Sequence, residues 1–457
     1  MQLHEEAREV PISHQADVVV VGGGTAGPVA ALAAARTGAR TVLIERYGFL
    51  GGCCIGGATG LHSFYNIFKQ EPGYSPKKIV EGIPQELVDR LTEAGGGLGH
   101  VEMERGGDFV SMLTPVDPEA FKHVVLQMLS EAGVSLLLHS LAVGAPREGQ
   151  EIKAVVVESK SGREAVAGKV FVDCTGDGDV AALAGAPFRH FAGEGNYGVS
   201  MTFRMANIAL ERARDFLDER GAITQLAHAV KHGAAEPGVV RLGMSLRPWE
   251  EERKPRGLHG RILATSTRAN DLTHLNCTGY APLDGISRDD LCKAEVELRR
   301  QVTEMAAFLK QHVGGFEGSY LVNSAVGAGV RRTRIIECLY DLTRDDVLEG
   351  RGFDSEIGRF AFIDNGQYFV RDGGSYGIPY EALVAQGVDN LLVAGRMISS
   401  DRVVHNSTRN TACCMAQGQG AGTAAAMCAL EGDSPAELDV QRLRRKLKDD
   451  GAYFESA

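Results

Sequence analysis

Four consecutive valines, Val18 to Val21, follow a polar start and predict a strand buried on both faces. Gly22, Gly24 and Gly27 come next, in the spacing G-x-G-x-x-G, and an alanine-rich stretch with Pro28 in its first turn predicts a helix directly after them. A second apolar run, Thr41 to Ile44, reads as a strand ending at Glu45. Further buried strands are predicted from Val170 and from Asn390 to Ala394, and residues around 152–174 suggest a β-meander. Mixed acidic and basic residues predict solvated helices at Glu211–Gly221 and Arg288–Val313. The uncharged stretch from Asn410 to Leu430, made of Gly, Ala, Gln, Cys and Thr, predicts a closely packed buried helix. Within it, Gly418 to Gly422 is expected to open an alanine-rich segment.

Strand, glycine turn, helix and second strand in this order carry a physical reading. Gly22 permits the tight turn, Gly24 lets backbone approach a pyrophosphate, and Gly27 lets the helix lie close to the strand. The helix start, with Thr25 and Ala26, offers N–H groups and a positive dipole end to phosphates. Glu45 stands about 20 residues beyond the glycines, where a carboxylate binds a ribose hydroxyl. The motif in this context predicts dinucleotide binding.

Composition narrows the setting. A chain of 457 residues suggests two or three intertwined domains, and a 44% hydrophobic, 23% charged composition excludes wholesale disorder. A formal net charge of −11 argues against nucleic acid as a partner. The N-terminus has no apolar secretory core, and no run reaches the ~18 apolar residues of a membrane span. Nine cysteines, without the spacing of a disulfide scaffold, indicate a reducing, cytoplasmic setting. A small-molecule substrate is the expected partner, and assembly of like chains stays open.

The residues after Glu45 go further. Arg46, then Leu50, Gly51, Gly52 and Cys53, resemble the FAD enzymes of the glutathione-reductase superfamily, in which this loop passes beside the flavin. Thr175, Gly176 and Asp177 follow the strand from Val170, and Gly395 and Arg396 follow the strand ending at Ala394. Gly418, Gly420, Ala421 and Gly422 complete the set at an expected helix start. With Ile79–Gly95 and Asp117–Ser140, the chain resembles the FAD-dependent oxidoreductase family with a heterodisulfide reductase A-like flavin domain, from about Ala16 to Leu430. The resemblance implies an α/β fold, a discontinuous Rossmann-type FAD-binding domain of glutathione-reductase type with an inserted α+β substrate domain. FAD would lie extended, its nucleotide end at Gly22–Gly27 and Glu45. Residues 1–65, 110–205 and 360–457 are assigned to the FAD-binding domain, and 66–109 and 206–359 to the cap.

Flavin chemistry needs a protein group that moves a proton, and His405 is placed for it between the Ala394 strand and Gly418. Its loop also holds Arg402 and Arg409; elsewhere in the resembling family a histidine often stands at Arg402. Arg331, Arg332 and Arg334 match a motif that usually reads Arg-Glu-Ser-Arg, and the cluster could grip a carboxylate or phosphate. His405, Arg409 and Arg331 are therefore the catalytic candidates, and Asn276, His274 and Tyr280 are candidates to face the substrate. Cys54 stands where disulfide reductases place a redox cysteine, but the position of its partner is Thr59, so no such disulfide is expected. Cys53–Cys54 and Cys413–Cys414 are read as buried small residues, with no metal and no iron–sulfur cluster expected. The leading expectation is hydride transfer between a small organic substrate and FAD. Flavin monooxygenation with NAD(P)H and oxygen, or a role as the FAD-carrying component of a larger redox or RNA-modifying assembly, are the alternatives.

Overall fold

The structure, a computed structural model, describes residues 9–56, 61–66, 76–106, 110–192, 198–364 and 367–455. Its centre is a five-stranded parallel sheet in the order Leu391–Val393, Val170–Asp173, Val18–Val21, Thr41–Ile44 and Ser135–Leu137. Val18 pairs with Val170 on one side and Thr41 on the other, and the register holds to Val21. Apolar strands without alternation require cover on both faces, and all four valines are buried. Parallel order brings the carboxyl ends of the strands to one edge, where ligands of open α/β sheets bind.

Two helices pack together beside this sheet. Ala26–Arg36 follows the glycine turn, and Thr411–Glu431 arrives from the far end of the chain. A Cβ at Gly418 would sit 2.3 Å from the Ala26 carbonyl oxygen, and one at Gly422 would sit 2.1 Å from that of Ala30. Only hydrogen fits at these two positions. The expected helix start at Gly418 is corrected here: the helix begins at Thr411, with Asn410 at its N-cap, and Gly418 lies in its interior. Glycine lowers helix propensity, yet close helix contact selects it.

The meander expected at 152–174 divides. Leu141–Gly144, Ala154–Ser159 and Gly162–Ala167 pair antiparallel, whereas Val170–Asp173 leaves to join the parallel sheet.

A second buried cluster is built on a six-stranded antiparallel sheet, in the order Ile223–Val230, Pro237–Ser245, Arg261–Thr265, Asp271–Asn276, Phe203–Ala206 and Tyr320–Ser324. The charged helix Arg288–His312 buries Ala294, Leu298, Val302, Met305 and Leu309, a stripe at helical spacing, and Ser287 caps it. The other charged segment forms the helix Leu210–Asp218. Ile336, Leu342, Val347 and Ile357 pack with the first cluster and not with this sheet. The Arg268 guanidinium ties the two parts together, donating at 2.7 Å to Asp117, whose other oxygen caps the helix Pro118–Glu131.

Replacing Gly422 by Ala gives a direct test of the helix contact. Helix propensity alone would add about 1 kcal/mol of stability. The clash with Ala30 should outweigh it, leaving the variant less stable by about 1–3 kcal/mol in urea unfolding. A stabilised variant would contradict the packing.

Candidate functional site

The ends of four parallel strands open into one cavity of about 260 Å³. At its first end lie Gly22, Gly24, Thr25 and Ala26 from the glycine turn, and Glu45, Arg46, Tyr47 and Phe49 from the end of the next strand. Gly22 has φ +99°, and a Cβ there would lie 2.4 Å from the Cys174 carbonyl oxygen. A Cβ at Gly27 would lie 1.8 Å from the Gly22 carbonyl oxygen. Gly24 differs: a Cβ there meets no protein atom within 4 Å. Two of the glycines are thus required by the protein's own backbone, and the third opens its backbone to the cavity. Glu45 is held in place by the amides of Gly23, at 2.5 Å, and Tyr47, at 2.8 Å. Each carboxylate oxygen keeps a second acceptor site, as ribose hydroxyls need.

The middle of the cavity is set by a buried acid. Asp173 accepts from the Thr175 amide and hydroxyl and from the Ala181 amide, which pins the turn Thr175–Gly176. Burial pushes its carboxyl up to about 6 against those three donors. Asp177 turns away from the cavity and accepts from Arg396 at 2.6 Å and from the Thr333 hydroxyl at 2.7 Å. It thereby holds Arg396 on the cavity wall beside Thr175, Gly176 and Gly395.

At the far end the second sheet contributes Asn276, the segment leading into its Phe203–Ala206 strand contributes Ser200, and Val326 to Arg331 line the cavity with them. Asp364, Arg409, Asn410 and Thr411 belong to the same lining. Arg331 donates to the Gly198 carbonyl at 2.6 Å and to the Ser200 hydroxyl at 2.8 Å. Arg409 is ion-paired with Asp364.

Several expected site residues stand behind this lining. Gly27 and Gly51 serve the packing of the loops: a Cβ at Gly51 would meet Ile55 and Phe121. Gly418 and Gly422 face the neighbouring helix, Gly420 packs on Ile357, and Ala421 is wholly buried. His405 is 1% exposed and does not line the cavity. Its Nδ1 accepts from Arg332 Nε at 3.0 Å, so the remaining proton sits on Nε2. Burial, together with the Arg332, Arg409 and Arg396 charges, pushes its pKa far down, and the ring is neutral. The arginine cluster fans out: Arg331 lines the cavity, Arg332 binds His405 and the Arg402 carbonyl, and Arg334 binds Asp179 and the Asp177 carbonyl. Asn276 lines the main cavity, His274 a smaller one, and Tyr280 a shallow depression elsewhere.

Cys53, Cys54, Cys174 and Cys414 line the cavity, whereas Cys413 is turned to Gln417. The expectation that both pairs are buried is corrected at Cys53, which is exposed on its short helix. All nine cysteines are free. Burial pushes Cys414 up to about 12 and raises Cys54 further, which keeps both as neutral thiols. Thr59 lies outside the described residues. Sequence reasoning missed Cys174, Ser200, Val326–Val330, Asp364, Asn410 and Thr411. The small residues of Val326–Val330 were the one visible signal.

Comparison with known proteins adds the following. A dihydrolipoyl dehydrogenase from Trypanosoma brucei brucei is 53% identical over 45 residues, 10% of this chain, and the match spans 9% of that relative's length. A geranylgeranyl bacteriochlorophyll reductase-like protein from Thermoplasma acidophilum is 13% identical, with a TM-score of 0.49 over 96% of this chain and 84% of that one. A p-nitrophenol 4-monooxygenase from Pseudomonas putida is 11% identical, with a TM-score of 0.46 over 96% of this chain and 85% of that one.

The open face of Gly24 yields a prediction. An added Cβ at Gly24 meets no protein atom, so the urea unfolding midpoint of Gly24→Ala should stay near wild type while bound FAD, read at about 450 nm, falls at least ten-fold. Full FAD content in this variant would separate the glycine turn from the cofactor. A family model described as FAD dependent oxidoreductase matches residues 17–447, which include every segment that lines the cavity. The chain belongs to the FAD dependent oxidoreductase family.

Proposed function

We propose that this chain transfers a hydride between a small organic substrate and FAD, with the substrate held between the flavin and the antiparallel sheet. One observation carries the reading. A single cavity runs from Gly24 and Glu45, at the end of the parallel sheet, to Ser200, Asn276 and Arg331, offered by a different core. The glycine turn, Glu45 and Arg46 would hold the nucleotide end, and Cys53, Thr175, Gly176 and Arg396 the middle. Bound FAD supplies the two-electron chemistry. The protein's part is to bind, orient and exclude water.

Arg331 is the group best held for that work. Gly198 and Ser200 fix its guanidinium at the cavity wall, which favours planar, two-point contact with a substrate oxygen pair. Arg409, anchored by Asp364, lines the same cavity. His405 acts as a positioning residue, because it gives the buried Arg332 a neutral acceptor. The order of motifs supports a flavin part of the heterodisulfide reductase A-like type. We assign residues 206–330 to the substrate side and group Ile336 to Ile357 with the flavin side, where they pack.

The test is anaerobic reduction of the FAD-loaded protein by a panel of alcohols, amines and acids, with NADPH alongside. One compound class should bleach the flavin. Bleaching by NADPH alone would overturn hydride transfer from substrate and favour monooxygenation. Arg331→Met should keep its FAD and lose at least ten-fold in kcat/KM for that class; unchanged kinetics would remove Arg331 from the site. His405→Ala should lower stability by about 1–3 kcal/mol, as a buried donor on Arg332 loses its acceptor. Urea unfolding equal to wild type would contradict that role.

A further inference from the structure

Oxidation at a carbon that bears a hydroxyl or amino group removes a hydride and a proton, and the two need different acceptors. The hydride belongs to FAD; the proton needs a protein group that borders the same cavity. His405 does not border it.

Few side chains of the lining can take a proton. Arg46, Arg331, Arg396 and Arg409 offer donors and no acceptor. Burial raises the Cys54, Cys174 and Cys414 thiols and keeps them neutral. Glu45 binds the Gly23 amide through one oxygen and the Tyr47 amide through the other, beside the glycine turn. Tyr47 and Cys53 stand on the loop that follows it. Asp364 is the other carboxylate among the described residues that line the cavity.

The chain holds Asp364 at one oxygen and leaves the second open. The buried run Ala361, Phe362 and Ile363 leads to it, and its amide donates to the Asn406 carbonyl at 3.0 Å. Its Oδ2 is ion-paired with Arg409, while its Oδ1 accepts from no donor among the described residues. The Asp364 side chain is 40% exposed against 12% for Arg409, so the carboxylate is reachable while its partner is held. Cys414 shows where along the cavity the pair stands. Burial pushes its thiol up, and the Arg396 and Arg409 charges both pull it back. Arg409 therefore lies within reach of a thiol that also feels Arg396, in the middle of the cavity. A carboxylate oriented through one oxygen, with free lone pairs on the other, is equipped to act as a general base.

We propose that Asp364 is the proton acceptor of the reaction, and that the substrate reacts at a carbon carrying a hydroxyl or amino group. The C–H bond breaks, and its electron pair leaves as hydride to FAD, which is reduced. The O–H or N–H bond breaks, its proton passes to Asp364 Oδ1, and the carbon is left doubly bonded to oxygen or nitrogen. Arg409 is the positioning residue that aims the carboxylate. The inference rests on the proposed function and names the substrate class of the same site.

The test joins a binding measurement to a kinetic one on the FAD-loaded protein. Asp364→Asn keeps the side chain's size and an oxygen for Arg409, so its FAD content should stay near wild type. Sulfite, an anion that adds to oxidised flavin and bleaches it, should bind about ten-fold more tightly once the neighbouring negative charge is gone. Reduction by the alcohol or amine that bleaches the wild-type flavin should slow about 100-fold. In Asp364→Ala, added acetate should restore more of that rate than formate, the weaker base, which a purely structural role would not produce. Unchanged sulfite affinity, or reduction at the wild-type rate in Asp364→Asn, overturns the proposal. A comparable loss confined to Cys53→Ala overturns it as well. Bleaching only by acids that lack a hydroxyl or amino group leaves the proposed function standing and overturns this substrate class. If no compound bleaches the wild-type flavin, the proposed function fails instead, and the sulfite titration still reads whether Asp364 stands beside the cofactor.

Discussion

At Gly418 and Gly422 the Thr411–Glu431 helix approaches the Ala26–Arg36 helix so closely that a methyl group would overlap a carbonyl oxygen. The site depends on that contact. It brings Arg409, Asn410, Thr411 and Cys414, late in the chain, into the lining of the same cavity as the glycine turn. The same buried helix carries Gln417, whose side-chain oxygen accepts from the Gly395 amide at 2.7 Å and so fixes the loop that presents Arg396. Small residues here act by letting backbones meet, and loss of that fit would disturb both ends of the cavity together.

Two acids buried near the strand ends then turn the scaffold into a charged wall. Asp173 organises the Thr175–Gly176 turn through backbone and hydroxyl donors, and Asp177 holds Arg396 and Thr333. The second core does not share the parallel sheet. It reaches the cavity through Ser200, Asn276 and the Val326–Arg331 segment. The lining of one cavity thus comes from two separately packed units.

Much of this arrangement is legible in the sequence where a residue has a single physical explanation. Val18–Val21 needs burial on both faces, and the Gly22–Gly27 spacing needs a turn with a helix behind it. The charged helices at Leu210–Asp218 and Arg288–His312 announce themselves by period. Legibility fails where one residue type serves two purposes. Glycines at four-residue spacing suit a ligand-facing helix start and a helix–helix contact equally, and only the position of Ala26 and Ala30 decides between them. Neighbours in the chain place His405 near the flavin. Its actual partner, Arg332, lies 73 residues earlier and carries the imidazole behind the wall. Arg331, Arg332 and Arg334 look like one basic cluster in sequence, yet the chain's path sends them to three destinations. His274, opposite Thr265 in the folded sheet, gives no sign in sequence that its nitrogens lack partners among the described residues.

The central claim is that the cavity from Gly24 to Arg331 is built for FAD. Its most direct test is to unfold the purified protein, separate the released small molecules and identify and count any flavin by chromatography. One FAD per chain is the predicted result. Release of NAD or FMN in its place, or failure to bind FAD after incubation with an excess, would contradict the account.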